Sequence, residues 1–154
     1  MSSTVRPADL SECEDLAVLM DEALHELASQ RGGAALLHSE DRASSSIKTF
    51  ENALLDASTM VWSGYWFEAL AGYAIASASL DKRPIVSLSD IYTTPEARKV
   101  GVGEALLEAA ISWAESLDAE AIDAHALPGA RDSKNLFERF GLTARLIVVR
   151  RDLR

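Results

Sequence analysis

The sequence predicts a single α/β domain. A length of 154 residues suits one domain, and 48% hydrophobic with 25% charged is the balance of an ordinary buried core. Helical and strand periods alternate along the chain without a low-complexity run, a long linker or a repeat. The domain is expected to span residues 1–154.

Taken in order, Thr4 to Arg6 forms a short strand ended by Pro7. Ser11-Glu12-Cys13-Glu14 reads as a capping box, the serine accepting from the amide three residues on while Glu14 reaches back. Leu16, Leu19, Met20, Ala23, Leu24 and Leu27 follow at helical spacing and form one buried stripe, and Arg31-Gly32-Gly33 stops the helix. A second helix is expected over 39–55, with Ile47, Phe50 and Leu54 inward. Strands are expected over 60–63 and, after an irregular aromatic turn, over 71–80; Asp81-Lys82-Arg83-Pro84 is a turn. The next strand covers 85–93, and Pro95 stops it. A long helix over 101–117 carries Leu106, Leu107, Ala110, Ala114 and Leu117 on one side. A strand over 121–127, a short helix over 132–140 closed by Gly141 and a last strand over 144–150 complete the chain.

No run approaches the roughly 18 apolar residues of a membrane span, and the opening Met1-Ser2-Ser3-Thr4-Val5-Arg6-Pro7 lacks the parts of a signal peptide. A cytoplasmic protein without a membrane partner is therefore expected. The single Cys13 excludes an internal disulfide, and no zinc-ligand spacing accompanies it; His25 and His38 form no recognisable metal pair. A net charge of −9 repels nucleic acid, and Arg145, Arg150, Arg151 and Arg154 are interleaved with apolar residues of the last strand, so no nucleic-acid partner is expected. The same charge favours a cationic substrate, or simply keeps the protein soluble.

The stretch that carries chemistry is Asp90-Ile91-Tyr92-Thr93-Thr94-Pro95-Glu96-Ala97-Arg98-Lys99-Val100-Gly101-Val102-Gly103, entering a helix. A strand, a short loop with spaced glycines and a helix start expose backbone N–H groups that no chain carbonyl can reach. The helix dipole adds about half a positive charge, and glycine lets an anion approach the backbone without meeting a Cβ. Arg98 adds a full charge. The Gly-x-x-x-x-Gly-Lys-Ser/Thr cradle is absent, and no third glycine completes the dinucleotide pattern.

Arg98-x-x-Gly101-x-Gly103, after a strand ending in Ile91-Tyr92-Thr93 and Pro95, resembles the Arg/Gln-x-x-Gly-x-Gly/Ala signature of the GNAT family of N-acetyltransferases. Gly72-Tyr73-Ala74 and Leu136-Phe137-Glu138-Arg139-Phe140-Gly141-Leu142 are similar to further landmarks of that family, in the right order over essentially the whole chain. The resemblance implies a mixed, mostly antiparallel sheet with helices on both faces. It implies acetyl-CoA as cofactor, and a small-molecule amine or a protein N-terminus or lysine as acceptor. Arg98, Lys99, Val100, Gly101, Val102, Gly103 and Glu104 would wrap the pyrophosphate, and Ile91, Tyr92 and Thr93 would offer main-chain groups to the pantetheine arm. Ser133 would meet the cofactor or cap its own helix, and Phe137 would pack on the pantetheine.

The catalytic pattern departs from the family's. Where a base often projects before the signature, this chain has Ser87 and Ser89, whose hydroxyls can at most hold a relaying water. Asp90 is the nearest carboxylate, turned to the opposite face from Ser89 unless a bulge intervenes; Asp90 and Ser89 are the catalytic candidates. Phe137 stands where the family often has a tyrosine that protonates the leaving thiolate, which leaves that proton to water, to solvent or to a side chain such as Tyr92. His125 and Asp123 border the expected gap. Trp62, Tyr65, Trp66 and Phe67 read as an acceptor-pocket lining or as a hairpin or homodimer surface. Two further readings remain: a catalytically weak or inactive acyl-CoA-binding module, and an inactive subunit dimerising through the aromatic hairpin. Helices and loops over 31–46 would shape the acceptor pocket.

Overall fold

The computed structural model describes residues 2–39 and 45–154. Five strands, β1 (Ser3–Pro7), β2 (Thr59–Trp66), β3 (Ala69–Ala78), β4 (Ile85–Thr93) and β5 (Ala121–Ala124), form one sheet in that spatial order. The first four are antiparallel neighbours, joined by a hairpin wherever the chain turns tightly. β5 is parallel to β4, because a helix must cross over between them. The helices are α1 (Cys13–Ala28), α2 (Gly33–Ser39), α3 (Ser46–Leu55), α4 (Val102–Ser116) and α5 (Arg131–Arg139).

Strand alternation divides the core in two. Trp62, Ala74, Ala76, Val86 and Leu88 face Val102, Leu106, Leu107 and Ala110 of α4. Val61, Tyr73, Ile75 and Tyr92 face Leu16 and Met20 of α1 and Phe50 of α3. This is the expected mixed, mostly antiparallel sheet with helices on both faces.

Several elements differ from the sequence expectation. The capping box sits two residues earlier: Asp9 accepts from the Ser11 amide at 2.9 Å and Glu12 Oε1 accepts from the Asp9 amide at 3.3 Å, so a 3-10 turn over Leu10–Glu12 precedes α1. Asp9 wins because Glu12 is also held by Ser63, Tyr65 and Arg6, which keeps its carboxylate beside the Asp9 amide. Gly32, at φ +83°, ends the loop after α1, and Gly33 opens α2, a helix the glycine pair disguised. α3 starts at Ser46, capped by Ser45 Oγ, which accepts from the Lys48 amide at 3.2 Å. Phe50 is buried as expected, but Ile47 is exposed. β2 continues through the aromatic stretch to Trp66, and the hairpin turns at Phe67 instead. β5 stops at Ala124, and residues 143–154 form no strand, because strand propensity is realised only beside a pairing neighbour.

Two glycines let α4 lie close on the sheet. Gly64 and Gly72 pair across β2 and β3. A Cβ on Gly64 would stand 2.9 Å from Val102 Cγ1; one on Gly72 would stand 2.4 Å from the Tyr92 carbonyl oxygen and 3.2 Å from Leu106 Cδ1. The first turn of α4 thus rests in a hollow that any side chain would fill. Replacing Gly72 with alanine should cost about 1–3 kcal/mol in urea unfolding, as backbone and helix are pushed apart; an unchanged midpoint would contradict this packing.

Glu12 ties β1, β2 and the start of α1 together. Its buried carboxylate accepts from Ser63 Oγ and Tyr65 OH, each at 2.7 Å, from Arg6 Nη1 at 2.8 Å and from the Asp9 amide. Burial pushes its pKa up, but the Ser63 and Tyr65 hydroxyls, the Asp9 amide and the Arg6 charge outweigh that, and it ends below the usual carboxylate range. A depressed folded-state value adds stability that is present above the unfolded pKa and disappears as pH falls through the folded one. Glu12→Gln should cost about 1–3 kcal/mol at neutral pH. Below about pH 4 its melting temperature should fall less steeply with pH than that of the native chain, followed by circular dichroism.

Candidate functional site

The site begins where β4 and β5 part. They pair from Ile85↔Ala121 to Leu88↔Ala124 and no further, whereas β4 continues to Thr93 against β3 alone. At the parting point β4 carries a bulge: Ile75 pairs with Asp90 and Ala76 with Leu88, so Ser89 is the extra residue. The bulge reverses the alternation. Leu88 packs toward α4, yet so does Ile91, while Tyr92 packs toward α1. Ser89 and Asp90 are thereby brought to one side, and the Ser89 hydroxyl donates to Asp90 Oδ2 at 2.8 Å, in preference to the Ile75 carbonyl at 3.3 Å.

Past Thr93, a 3-10 turn over Pro95–Ala97 leads into an irregular bend. Lys99 has φ +69° and Gly101 φ +95°, both left-handed. Gly101 is the N-cap of α4 and offers no side chain to cap it. The Arg98 amide donates to the Pro95 carbonyl at 3.4 Å and the Ala105 amide to the Gly101 carbonyl at 3.0 Å. Between them, the amides of residues 99–104 meet no acceptor among the described residues.

Bend and parted strands border one cleft of about 770 Å3. Of the residues expected in the site, Ser89, Asp90, Ile91, Tyr92, Thr93, Arg98, Lys99, Gly103, Glu104, Ser133 and Phe137 line it. Val102 is fully buried under the sheet and Val100 packs against the same core, so their side chains face away. A Cβ on Gly101 would point at Ser3 Oγ, 3.4 Å away, whereas Gly103 borders the cleft, with Thr93 Oγ1 and Leu136 Cδ2 at 3.5 and 3.6 Å from its would-be Cβ. The two signature glycines therefore do different work: Gly101 makes the left-handed bend and Gly103 leaves open space.

The sequence profile of the Acetyltransferase (GNAT) family matches residues 21–142. The chain belongs to the GNAT acetyltransferase family. No curated protein matches it. Among solved structures, a tetramutant of the BH1408 protein from Bacillus halodurans superposes with TM-score 0.81 at 17% identity, covering 97% of this chain and 99% of that one. The aminoglycoside N-acetyltransferase AAC(6')-Iy in complex with CoA does so with TM-score 0.71 at 19% identity, over 97% and 94%. A ribosomal-protein-alanine N-acetyltransferase from Brucella melitensis biovar Abortus 2308 gives 0.71 at 17%, over 97% and 99%. These likenesses bear on the fold.

Within this GNAT domain the charge at the bend is not placed as expected. Arg98 Nη2 lies 3.0 and 2.8 Å from the two Glu26 oxygens, its Nε donates to the Thr93 carbonyl at 3.1 Å, and its guanidinium stacks 5.7 Å from the Tyr92 ring centre. Glu26 holds the Arg98 pKa above its ordinary value despite burial. Arg98 thus braces the bend against α1, while Lys99, in the bend itself, is exposed and lines the cleft. Arg139 is likewise bound to Glu104, at 2.8 Å.

Glu26, Leu24 and Leu27 of α1 also line the cleft and were not expected there. The leucines belong to the α1 stripe, whose first half is core and whose second half overhangs the parted strands. A carboxylate beside such a stripe was the available signal for Glu26. His125 lines the cleft just beyond β5, but Asp123 does not. None of Trp62, Tyr65, Trp66 and Phe67 does either: Trp62 is buried against Trp113, Tyr65 is bound to Glu12 and only Phe67 is largely exposed. Cys13 is buried in the core beside α1 and α3 and does not line the cleft, and that burial raises its pKa. No group of metal ligands occurs among the described residues. The side chain of His38 and residues 40–44 of the expected 31–46 acceptor wall lie outside those described, while Leu36 of that span lines the cleft.

Tyr92 is buried, which raises its pKa, and Glu26 and Glu22 raise it further. Glu26→Gln should therefore lower the Tyr92 value, seen as an earlier tyrosinate absorbance rise on alkaline titration. Both partners of the Glu26–Arg98 pair are more than a third exposed, so the substitution should cost no more than about 1 kcal/mol. A Tyr92 titration that stays put would show that Glu26 does not act on it.

Proposed function

We propose that this chain transfers an acetyl group from acetyl-CoA to an amine, the amine attacking directly. The observation that carries the reading is the run of unpartnered amides at residues 99–104, three of which (Lys99, Gly103 and Glu104) belong to residues lining the cleft where two strands part. Such amides at a helix start match a diphosphate, and the open space at Gly103 fits close approach of one. Main-chain groups of Ile91, Tyr92 and Thr93 would hold the pantetheine arm along the unpaired side of β4. Bound acetyl-CoA would supply a thioester carbonyl at the gap and a thiol as leaving group.

The rest falls to the protein's own residues. Orientation in the cleft supplies much of the acceleration. The Ser89–Asp90 pair, joined by a hydrogen bond at the gap, would accept the proton that the attacking amine gives up, directly or through one water. Of the two phenols in the wall, Tyr92 is the more exposed, and its raised pKa keeps it protonated, as donation to a departing thiolate requires. The acceptor is a small molecule or a protein amine; the aminoglycoside and ribosomal-protein-alanine acetyltransferases of similar fold act on such groups. An overall charge of −9 attracts an amine that arrives protonated.

A second reading is an acyl-CoA-binding module without turnover. It is favoured by Phe137, a buried ring in the cleft wall that has no proton to give. The two readings part on thiol release from acetyl-CoA with a panel of amines: acetyl transfer releases it, a module does not.

Gly103→Asp tests the shared core of both. An acidic residue in the first turn suits the helix dipole and meets no close contact, so thermal stability should hold or rise by a few tenths of a kcal/mol. The carboxylate would repel a diphosphate, and calorimetry should show coenzyme A affinity reduced at least about tenfold. Unchanged affinity in this folded variant would overturn the cradle.

A further inference from the structure

We infer that Glu26 competes with the diphosphate of the coenzyme for Arg98: the arginine serves one of the two anions at a time, and its ion pair with α1 must open before the coenzyme takes its place. The competition rests on the acetyl-CoA reading above and adds to it a residue of the first helix that sets coenzyme affinity from outside the signature. Two cations and a helix start meet at the bend. Arg98 and Lys99 are successive, and α4 follows at Val102 with the positive end of its dipole and no side-chain cap. Glu104 of its first turn is already bound to Arg139 at 2.8 Å. The anion that answers Arg98 comes from 72 residues away in sequence, with both Glu26 oxygens on its Nη2 at 3.0 and 2.8 Å.

The position and the strength of this pair suit exchange. Both side chains line the cleft, so the pair is formed on its wall, within reach of an entering ligand. At 36 and 39% exposed it is screened by water and weak. A diphosphate brings two charges and several oxygens to the fork of the guanidinium, against a single carboxylate. The other contacts of Arg98, Nε to the Thr93 carbonyl at 3.1 Å and the Tyr92 ring, belong to β4 and keep the arginine at the bend once Glu26 is released. Opening the pair does not detach α1, because Leu16, Leu19 and Met20 hold that helix in the core. Each coenzyme bound must therefore first undo the Glu26 contact, and the carboxylate lowers the affinity by what that contact is worth.

Calorimetry with coenzyme A tests the competition. Glu26→Gln removes the competing charge, and its affinity should exceed that of the native chain about twofold to fivefold, the most that an exposed pair allows. In an Arg98→Gln background the same substitution should leave the affinity unchanged, since nothing remains to compete for. In nitrogen–proton spectra of the labelled native chain, the Arg98 Nε–H signal, assigned by its loss in Arg98→Gln, should move as coenzyme A is added. Affinity in Glu26→Gln equal to or below the native value would show that Glu26 does not withhold Arg98. A gain that survives in the Arg98→Gln background would reduce Glu26 to a general repulsion, and an Arg98 signal that stays in place would show that the pair never opens. Each of these outcomes overturns the competition and leaves the coenzyme reading standing. Coenzyme A that binds none of the chains overturns both.

Discussion

The seating of α4 on two glycines governs the rest of the molecule. With Gly64 and Gly72 opposed on neighbouring strands, Val102 and Leu106 descend to the sheet surface, and the helix start is fixed relative to β4. The bend at Lys99 and Gly101 follows from that: the chain must leave β4, turn within a few residues and enter a helix already pressed against the strands, and two left-handed residues accomplish it. The amides of residues 99–104 are left without a backbone acceptor at the edge of the cleft, because the helix is already pressed against the strands.

A second constraint acts at the same place from the other side. The bulge at Ser89 twists β4 as it loses β5, so one irregularity both opens the gap and turns Asp90 to the Ser89 side. Without it, regular alternation would leave those two side chains on opposite faces. Arg98 then locks the bend to α1 through Glu26, which makes the first helix part of the site as well as part of the core.

Much of this was legible in the residues. Alternating periods marked β4, α4 and the α1 stripe, and the spacing Arg98-x-x-Gly101-x-Gly103 located the bend. Other features were hidden because they depend on partners distant in sequence. The Ser89 bulge is a mismatch of register with β3, which no local pattern records. Arg98 looked like a free charge because Glu26, its partner, is 72 residues away. The capping box went to Asp9 because Glu12 serves it and a buried hydroxyl network at the same time. The apolar run at 146–149 has every local mark of a strand, yet it pairs with no other strand among the described residues.

The α4 seat, the bulge and the Arg98 brace all converge on the unpartnered amides at the helix start. A titration of the isotope-labelled protein with coenzyme A, followed amide by amide in nitrogen–proton correlation spectra, tests that convergence most directly. Large shifts and slowed exchange confined to residues 99–104 and the adjoining stretch of β4 are the result it predicts. Signals there that stay unmoved while coenzyme A binds elsewhere, or does not bind at all, would contradict it.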